Sequence, residues 1–423
     1  MAFVHRLPTE LLAHIFLSLI EDFRSWEDYS DLHRHRSLLC VVCSRWRSIA
    51  LSIPTLWATI SIGGATAFEQ ENSETLDLLK LLLKRPRNNT LLSVRFMQCP
   101  QPLLEGLWAT LNPHFSRVRK MTIIADRNVY SDLLPMPSAP QLRSLKYVDT
   151  MLYEDEFELV RHMNDAPLLC YLDVENISWK ALSNIPLRQL TALRLSRPRT
   201  WRHIPVIQWA EVFSILHQCV SLEFLHADLL GSGLELLPQE IIDLPTLRGL
   251  TISRPELTSH LRTPKLEFIH GLKLGAACDP QQSLPHLKLY VAEDGDENLK
   301  RWRMPGSFAT VERLHFKNCY RSILVHVFHM LVEKNSVDAV PLASLPHLRI
   351  LTLSRLRGNR ELARVIIPLV LKMLDFTPNL RVECVWDEFF PNGPTEEQQE
   401  KYGHRIIPLK SFYGEMRPYE ELF

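Results

Sequence analysis

The chain has 423 residues, 46% of them hydrophobic, and its 48 basic side chains are matched by 48 acidic ones. That length holds two or three ordinary domains or one elongated repeat array, with ample apolar material for a large core. Zero net charge gives no electrostatic reason to expect nucleic acid or an acidic membrane as partner, and 14 glycines are too few to favour a phosphate loop.

The first predicted element follows Leu7. Pro8 suits the opening turn of a helix, and Glu10 sits well near its positive end. Leu11, Leu12, Ile15, Phe16 and Leu19 then recur at three- and four-residue steps, an amphipathic helix. Residues 21–37 are polar, with Asp22, Glu27, Asp28, Asp31, Arg34 and Arg36, and predict an exposed loop. A second helix follows, in which Leu39, Val42, Cys43, Trp46, Ile49 and Ala50 share a face. Pro54 restarts the chain, and Leu56 and Trp57 close the unit with two large apolar groups. A module of roughly 50 residues buries too little surface to stand alone, so it must lean on a neighbour or a partner.

These residues resemble the F-box. The resemblance lies in Leu7-Pro8-x-Glu10-Leu11-Leu12, Ile15-Phe16, Leu39-x-x-Val42-Cys43-x-x-Trp46-Arg47-x-Ile49-Ala50 and Pro54-x-Leu56-Trp57. Residues 21–37 form a longer interval than the short link of most F-boxes. That interval and the leucine-rich remainder look like the F-box-like proteins abundant in mushroom-forming fungi.

Beyond a polar connector at 62–75, Leu76, Leu79, Leu82 and Leu83 predict a helix that stops before Arg85-Pro86. Residues 92–96 alternate like a strand. A helix at 103–111 carries Leu104, Leu107, Trp108 and Leu111 on one face, and a strand at 118–124 turns Val118, Met121 and Ile123 inward. A period then emerges: Pro-x-Leu recurs at Pro140, Pro167, Pro245, Pro264, Pro285, Pro346 and Pro378, usually continuing as Leu-x-x-Leu-x-Leu. Copies without proline begin at Leu190, Leu222 and Val311. Successive copies lie roughly 20 to 37 residues apart, the range of leucine-rich repeats with insertions. The proline should keep the approach to each strand extended and stop the preceding helix. Trp209, Val212, Phe213 and Leu216 share a helical face, as do Leu324, Val327, Phe328 and Leu331. One repeat cannot bury its own apolar face, so the copies must stack. This part resembles a leucine-rich-repeat domain, with the family's loop-position Asn or Cys clear at Cys319 and approximate at Asn176.

Motifs of chemistry are sparse. Cys40-Val-Val-Cys43, with His33 and His35 nearby, lies in an apolar helix without zinc-finger spacing and reads as core cysteines. The other cysteines, Cys99, Cys170, Cys219, Cys278, Cys319 and Cys384, mostly lie amid apolar neighbours, as reduced thiols do. The acidic strings at 154–156 and 293–297 lack the ligand order of a calcium loop. His326 and His329 have no identified third ligand, and Arg194, Arg197, Arg199, Trp201 and Arg202 form a basic-aromatic cluster that reads as a solvated loop. Glu10 and His14 interrupt the first apolar run, so it is neither a secretory signal nor an anchor, and a soluble protein of the cytoplasm or nucleus is expected.

The expected fold class is α/β: a three-helix F-box-like module at 5–61, the connector, a curved leucine-rich-repeat solenoid at 76–390 and a cap or tail at 391–423. The resemblance implies the substrate-recognition subunit of an SCF-type cullin-RING ubiquitin ligase, with the head docking the Skp-type adaptor and the repeats a target protein. The alternative is a leucine-rich interaction scaffold without a ligase role. Neither reading makes the chain an enzyme, and neither needs a catalytic residue, metal or cofactor, a nucleic acid or a membrane. Adaptor docking is assigned to Leu7, Pro8, Leu11, Leu12, Ile15 and Phe16 with Leu39, Val42, Trp46, Pro54, Leu56 and Trp57. Trp46 and Trp57 are the expected core residues; Leu7, Pro8 and Leu11 are the expected contacts. Target binding is assigned to residues between the inward leucines: Arg143, Lys146, Arg194, Glu223, Arg248, Thr251, Lys265, Glu312, His315, Arg349 and Thr352.

Overall fold

A computed structural model describes residues 7–24, 30–63, 72–87, 89–125, 138–149, 166–175, 182, 185–196, 209–228, 240–253, 255–271, 284–293, 310–332, 345–354, 360–384 and 395–408. The chain is a mixture of helices and parallel strands and divides into two compact units, Met1–Leu187 and Arg188–Phe423.

The first unit opens with α1 (Thr9–Arg24), α2 (Ser30–Val41), α3 (Ser44–Ser52) and a short turn of 3-10 helix, Pro54–Trp57. The chain continues as β1 (Thr59–Gly63), α4 (Asn72–Lys84), β2 (Leu92–Met97), α5 (Gln101–Leu111), β3 (Val118–Ala125), β4 (Ser144–Asp149) and β5 (Tyr171–Glu175). These five strands pair in parallel in sequence order.

Three expectations are corrected here. The described parts of the polar interval are helix, not loop: α1 runs through 21–24, and α2 starts at Ser30. Leu32, Arg36 and Leu39 are buried at helical spacing, so a guanidinium takes one position of an inward stripe. The second predicted helix is broken. Cys43 is extended (φ −164°, ψ 168°) and caps α3, its Sγ accepting from the Trp46 N–H at 3.4 Å, so Leu39 and Trp46 belong to different helices. The module also ends in β1, which pairs with β2 from Thr59 opposite Ser93 to Gly63 opposite Met97.

The second unit contains β6 (Ala192–Ser196), α6 (Trp209–Gln218), β7 (Phe224–Asp228), β8 (Ile242–Asp243), β9 (Gly249–Ile252), β10 (Leu261–Arg262) and β11 (Phe268–Gly271). It continues through β12 (Leu289–Glu293), β13 (Arg313–Lys317), α7 (Arg321–Val332), β14 (Ile350–Ser354), α8 (Arg360–Phe376), β15 (Arg381–Cys384), α9 (Glu396–Tyr402) and β16 (Ile406–Pro408). Its main ladder runs β6-β7-β9-β11-β12-β13-β14-β15-β16, all parallel, with β8 and β10 paired separately.

The periodic leucines build the core of both units. Leu145 and Tyr147, Leu193 and Leu195, Leu250 and Ile252, Leu314 and Phe316, and Leu351 and Leu353 are all buried. The proline works differently from expectation. It sits inside a tight turn that the leucine N–H closes: Leu142 to Ala139 O at 3.0 Å, Leu247 to Leu244 O at 3.2 Å, Leu348 to Leu345 O at 3.1 Å. Its fixed φ suits the second position of such a turn. Each turn delivers the chain to its strand at the same phase, so adjacent copies fall into register. The carbonyl before a strand then accepts two N–H groups from the next copy, as Arg248 O does from Glu267 and Phe268, both at 2.9 Å.

Candidate functional site

The head is held together around two rings. Phe16 is buried and meets Trp46 with ring centroids 5.0 Å apart. Trp57 is buried, its Nε1–H donating to Ala50 O at 2.8 Å. Arg36 donates from Nη1 to Thr59 O at 2.7 Å and lies 5.9 Å from the Trp57 ring centre. On the same ring, at 4.0 Å, stands Arg85, just beyond α4. Trp57 thus links the helices to the first repeat through two cation–π contacts. Arg45 Nη2 donates to Leu7 O at 2.6 Å, and Arg47 Nε to Cys40 O at 2.7 Å, drawing the α2–α3 junction against the start of α1.

This packing sorts the twelve expected docking residues. Leu12, Phe16, Leu39, Leu56 and Trp57 are buried inside the head and cannot meet a partner. Leu7, Trp46 and Pro54 are half-buried, and Pro8 is exposed. Leu11 is 51%, Ile15 49% and Val42 58% exposed. Four residues outside the expected set join them: Leu19, Leu38, Leu51 and Val41, the last 65% exposed. Leu19 continues the Leu11–Ile15 row at the next helical step, a signal present in the spacing. Leu38 and Val41 carry no such mark, because their exposure follows from the break at Cys43. Among the described residues, seven of fifteen exposed large hydrophobics lie in α1–α3, an apolar concentration that a solvated head has no use for.

The expected target face divides too. Arg143, Arg248, Glu312 and Arg349 are exposed just before their strands, and Lys265 is exposed in the turn before Leu266. Lys146, Arg194 and Glu223 are half-buried. Thr251, His315 and Thr352 are buried, contrary to expectation. Each stands in mid-strand with an in-register neighbour on either side about 4.8 Å away, close enough to cover a short side chain. Adjacent strands also engage two of them: His315 Nε2 lies 2.7 Å from Oγ of Ser354, two residues along from its in-register partner, and Thr352 Oγ1 donates to the in-register Glu383 Oε2 at 3.2 Å.

The cysteines serve structure. Cys99 follows Gln98 (φ +48°) after β2, and Cys319 follows Asn318 (φ +54°) after β13. Each thiol turns back to the preceding strand, Cys99 Sγ to Ile62 O at 3.7 Å and Cys319 Sγ to Ala292 O at 3.3 Å. Cys99 is therefore a second copy of the loop position expected only at Cys319 and Asn176, visible in the sequence as Met97-Gln98-Cys99. Burial pushes the Cys99 thiol up to about 11 and Cys219 to about 12. Cys40 and Cys43 are free and half-buried. Among the described residues, no group of three or more His, Cys, Asp or Glu side chains could hold a metal ion, and no helix is long and apolar enough to cross a membrane. Asn176, Cys278, Arg197, Arg199, Trp201, Arg202 and the acidic strings at 154–156 and 294–297 lie outside the described residues.

No family model matches the sequence, and no curated protein matches it.

Proposed function

We propose that this chain is the substrate-recognition subunit of an SCF-type cullin-RING ubiquitin ligase, an F-box-like head followed by a curved leucine-rich-repeat solenoid. The observation that carries the reading is the exposed apolar row on α1, Leu11, Ile15 and Leu19, with Leu38, Val41 and Val42 beside the α2–α3 junction. It lies on the segment whose residues resemble the F-box. The Skp-type adaptor covers this surface, with Pro8 and the half-buried Leu7 at its edge. The buried members of the motif, Leu12, Phe16, Leu39, Leu56 and Trp57, hold the head in shape instead. The repeats present a target, and the chain itself makes and breaks no bonds. Its contribution is proximity, raising the concentration of the target near the transferring enzyme.

The test is co-expression with a Skp-type adaptor followed by size-exclusion chromatography. A stable complex that is lost on Pro8→Ala with Leu11→Ala supports the docking role. Absence of a complex, from protein that is folded and monodisperse alone, removes the ligase reading and leaves a leucine-rich interaction scaffold.

A further inference from the structure

One helix carries both a buried cation and part of the exposed apolar surface. Leu32, Arg36 and Leu39 of α2 are buried, Arg36 completely, while Leu38 and Val41 are exposed. At ~100° per residue, Leu38 and Val41 stand about 200° and about 140° round the helix from Arg36, on its opposite side.

The guanidinium reaches from the helix to the sheet. Ser93 N–H donates to Ala58 O at 2.9 Å, and strand carbonyls alternate sides, so Thr59 O turns to the edge away from β2. β1 stands first in the strand order, and Arg36 Nη1 donates to that edge carbonyl at 2.7 Å. Arg36 also lies 5.9 Å from the Trp57 ring centre, and Arg85, just beyond α4, lies 4.0 Å from it. A buried guanidinium loses its hydration, and an apolar side chain would fill the same stripe position without that loss. What an apolar side chain cannot supply is a directed bond from α2 to the first strand. One helical turn further on stands Cys40, whose carbonyl accepts Arg47 Nε of α3 at 2.7 Å. A line of contacts thus runs from Thr59 O through Arg36 and the end of α2 to α3.

We infer that Arg36 is a positioning residue for the exposed apolar surface of α2 and α3. It fixes Leu38, Val41 and Val42 relative to β1, and a partner that covers those residues steadies β1 and β2 in return, because such coupling is reciprocal. The break at Cys43 makes the brace necessary. Val42 and Cys43 lie between the two helices, so the start of α3 and its thiol cap take their place from the end of α2. The partner's identity as the Skp-type adaptor rests on the function proposed above; the brace itself does not.

Cys40 and Cys43 report the brace in the full-length chain without any partner. Arg36→Met keeps the apolar stem and removes the bond, so iodoacetamide should label both thiols on the order of fivefold faster, the weight of one hydrogen bond. Buried Cys99 should stay protected, which separates local release from unfolding. Arg36→Lys, which can still donate to Thr59 O, should restore most of the protection. Leu107→Ala, which weakens the same unit at α5, should label Cys40 and Cys43 as the parent does. Parent rates in Arg36→Met, or equal acceleration in Leu107→Ala, would overturn the inference. Amide exchange of residues 93–97, read with and without adaptor, tests the reciprocal effect: adaptor should slow it in the parent and not in Arg36→Met. No slowing in a parent that binds adaptor, or equal slowing in both chains, would also overturn it. Should Arg36→Met melt early, Arg47→Gln cuts the same line at an exposed side chain and should abolish the slowing; slowing at the parent's size would count against the inference. Adaptor that binds no form of a chain whose cysteines respond as expected would sink the ligase role alone.

Discussion

Adjacent residues on α1 should respond to the same truncation in opposite ways. Leu11 and Ile15 are about half exposed, whereas Leu12 and Phe16 are 1% and 0% exposed. Full burial of a Leu or Ile side chain contributes roughly 1.5–3 kcal/mol, so covering the exposed half contributes roughly 1 kcal/mol each. Leu11→Ala with Ile15→Ala should then weaken adaptor binding by about 2 kcal/mol, roughly thirtyfold in Kd. The same pair should lower folding stability by only roughly 1 kcal/mol per substitution, from the half of each side chain that the head covers. Phe16→Ala should instead remove a buried ring and its contact with Trp46, a loss of roughly 3–5 kcal/mol in stability. Urea melts report the stability side, and titration of labelled adaptor reports the binding side. The reasoning is refuted if the surface pair melts as early as Phe16→Ala, or if it binds adaptor as the parent does.

Further outcomes follow from single sites. Gly63→Ala should lower the urea midpoint sharply, by roughly 2 kcal/mol or more, because the residue has φ +109° and a Cβ there would lie 1.8 Å from Met97 O. Arg36→Ala should cost roughly 2–4 kcal/mol through the lost bond to Thr59 O and the vacated volume; Arg36→Met, which keeps the apolar stem, should recover part of it, with Trp57 emission as the local readout. In native protein at pH 8, iodoacetamide should label Cys40 and Cys170 well before Cys99 and Cys219, as peptide mass mapping would show. The raised thiol pKa values carry a pH signature as well. Folding holds these protons above the ordinary thiol value of 9.0, so the contribution is complete below pH 9 and is lost as pH rises toward 11 for Cys99 and 12 for Cys219. Cys219→Ala should flatten the fall of stability over that alkaline range.

Most of the repeat was legible because hydrophobic spacing is a local signal. The rows at Leu142, Leu169, Leu247 and Leu348 predict inward strand residues, and those residues are buried. The helix at Leu104, Leu107, Trp108 and Leu111 was equally plain. What stayed hidden depends on distant partners. Arg36 reads as surface until Thr59 and Trp57 are placed beside it. Thr59 to Ile62 alternate polar and apolar over too short a run to mark β1 as a strand, and all four are buried. Thr352 and His315 look like outward positions of their own repeats, and only the neighbouring copies cover them. The residues expected to dock mixed both kinds. The spacing on α1 identified the helix, but which of Leu11 and Leu12 turns outward was decided by the packing of α1 against α2, α3 and the Pro54–Trp57 turn.

The pairing of β1 with β2 has a mechanical consequence. The head does not hang from the first repeats on a tether; its last strand is the edge of their sheet, and Arg85 stacks on its final tryptophan. A flexible linker would let a protein gripped by the helices sample a wide volume, diluting any encounter with whatever the first strands hold. Here the orientation is built into backbone hydrogen bonds. The placement of the helices against the first strands becomes a property of the fold, and changing it would require rebuilding a strand.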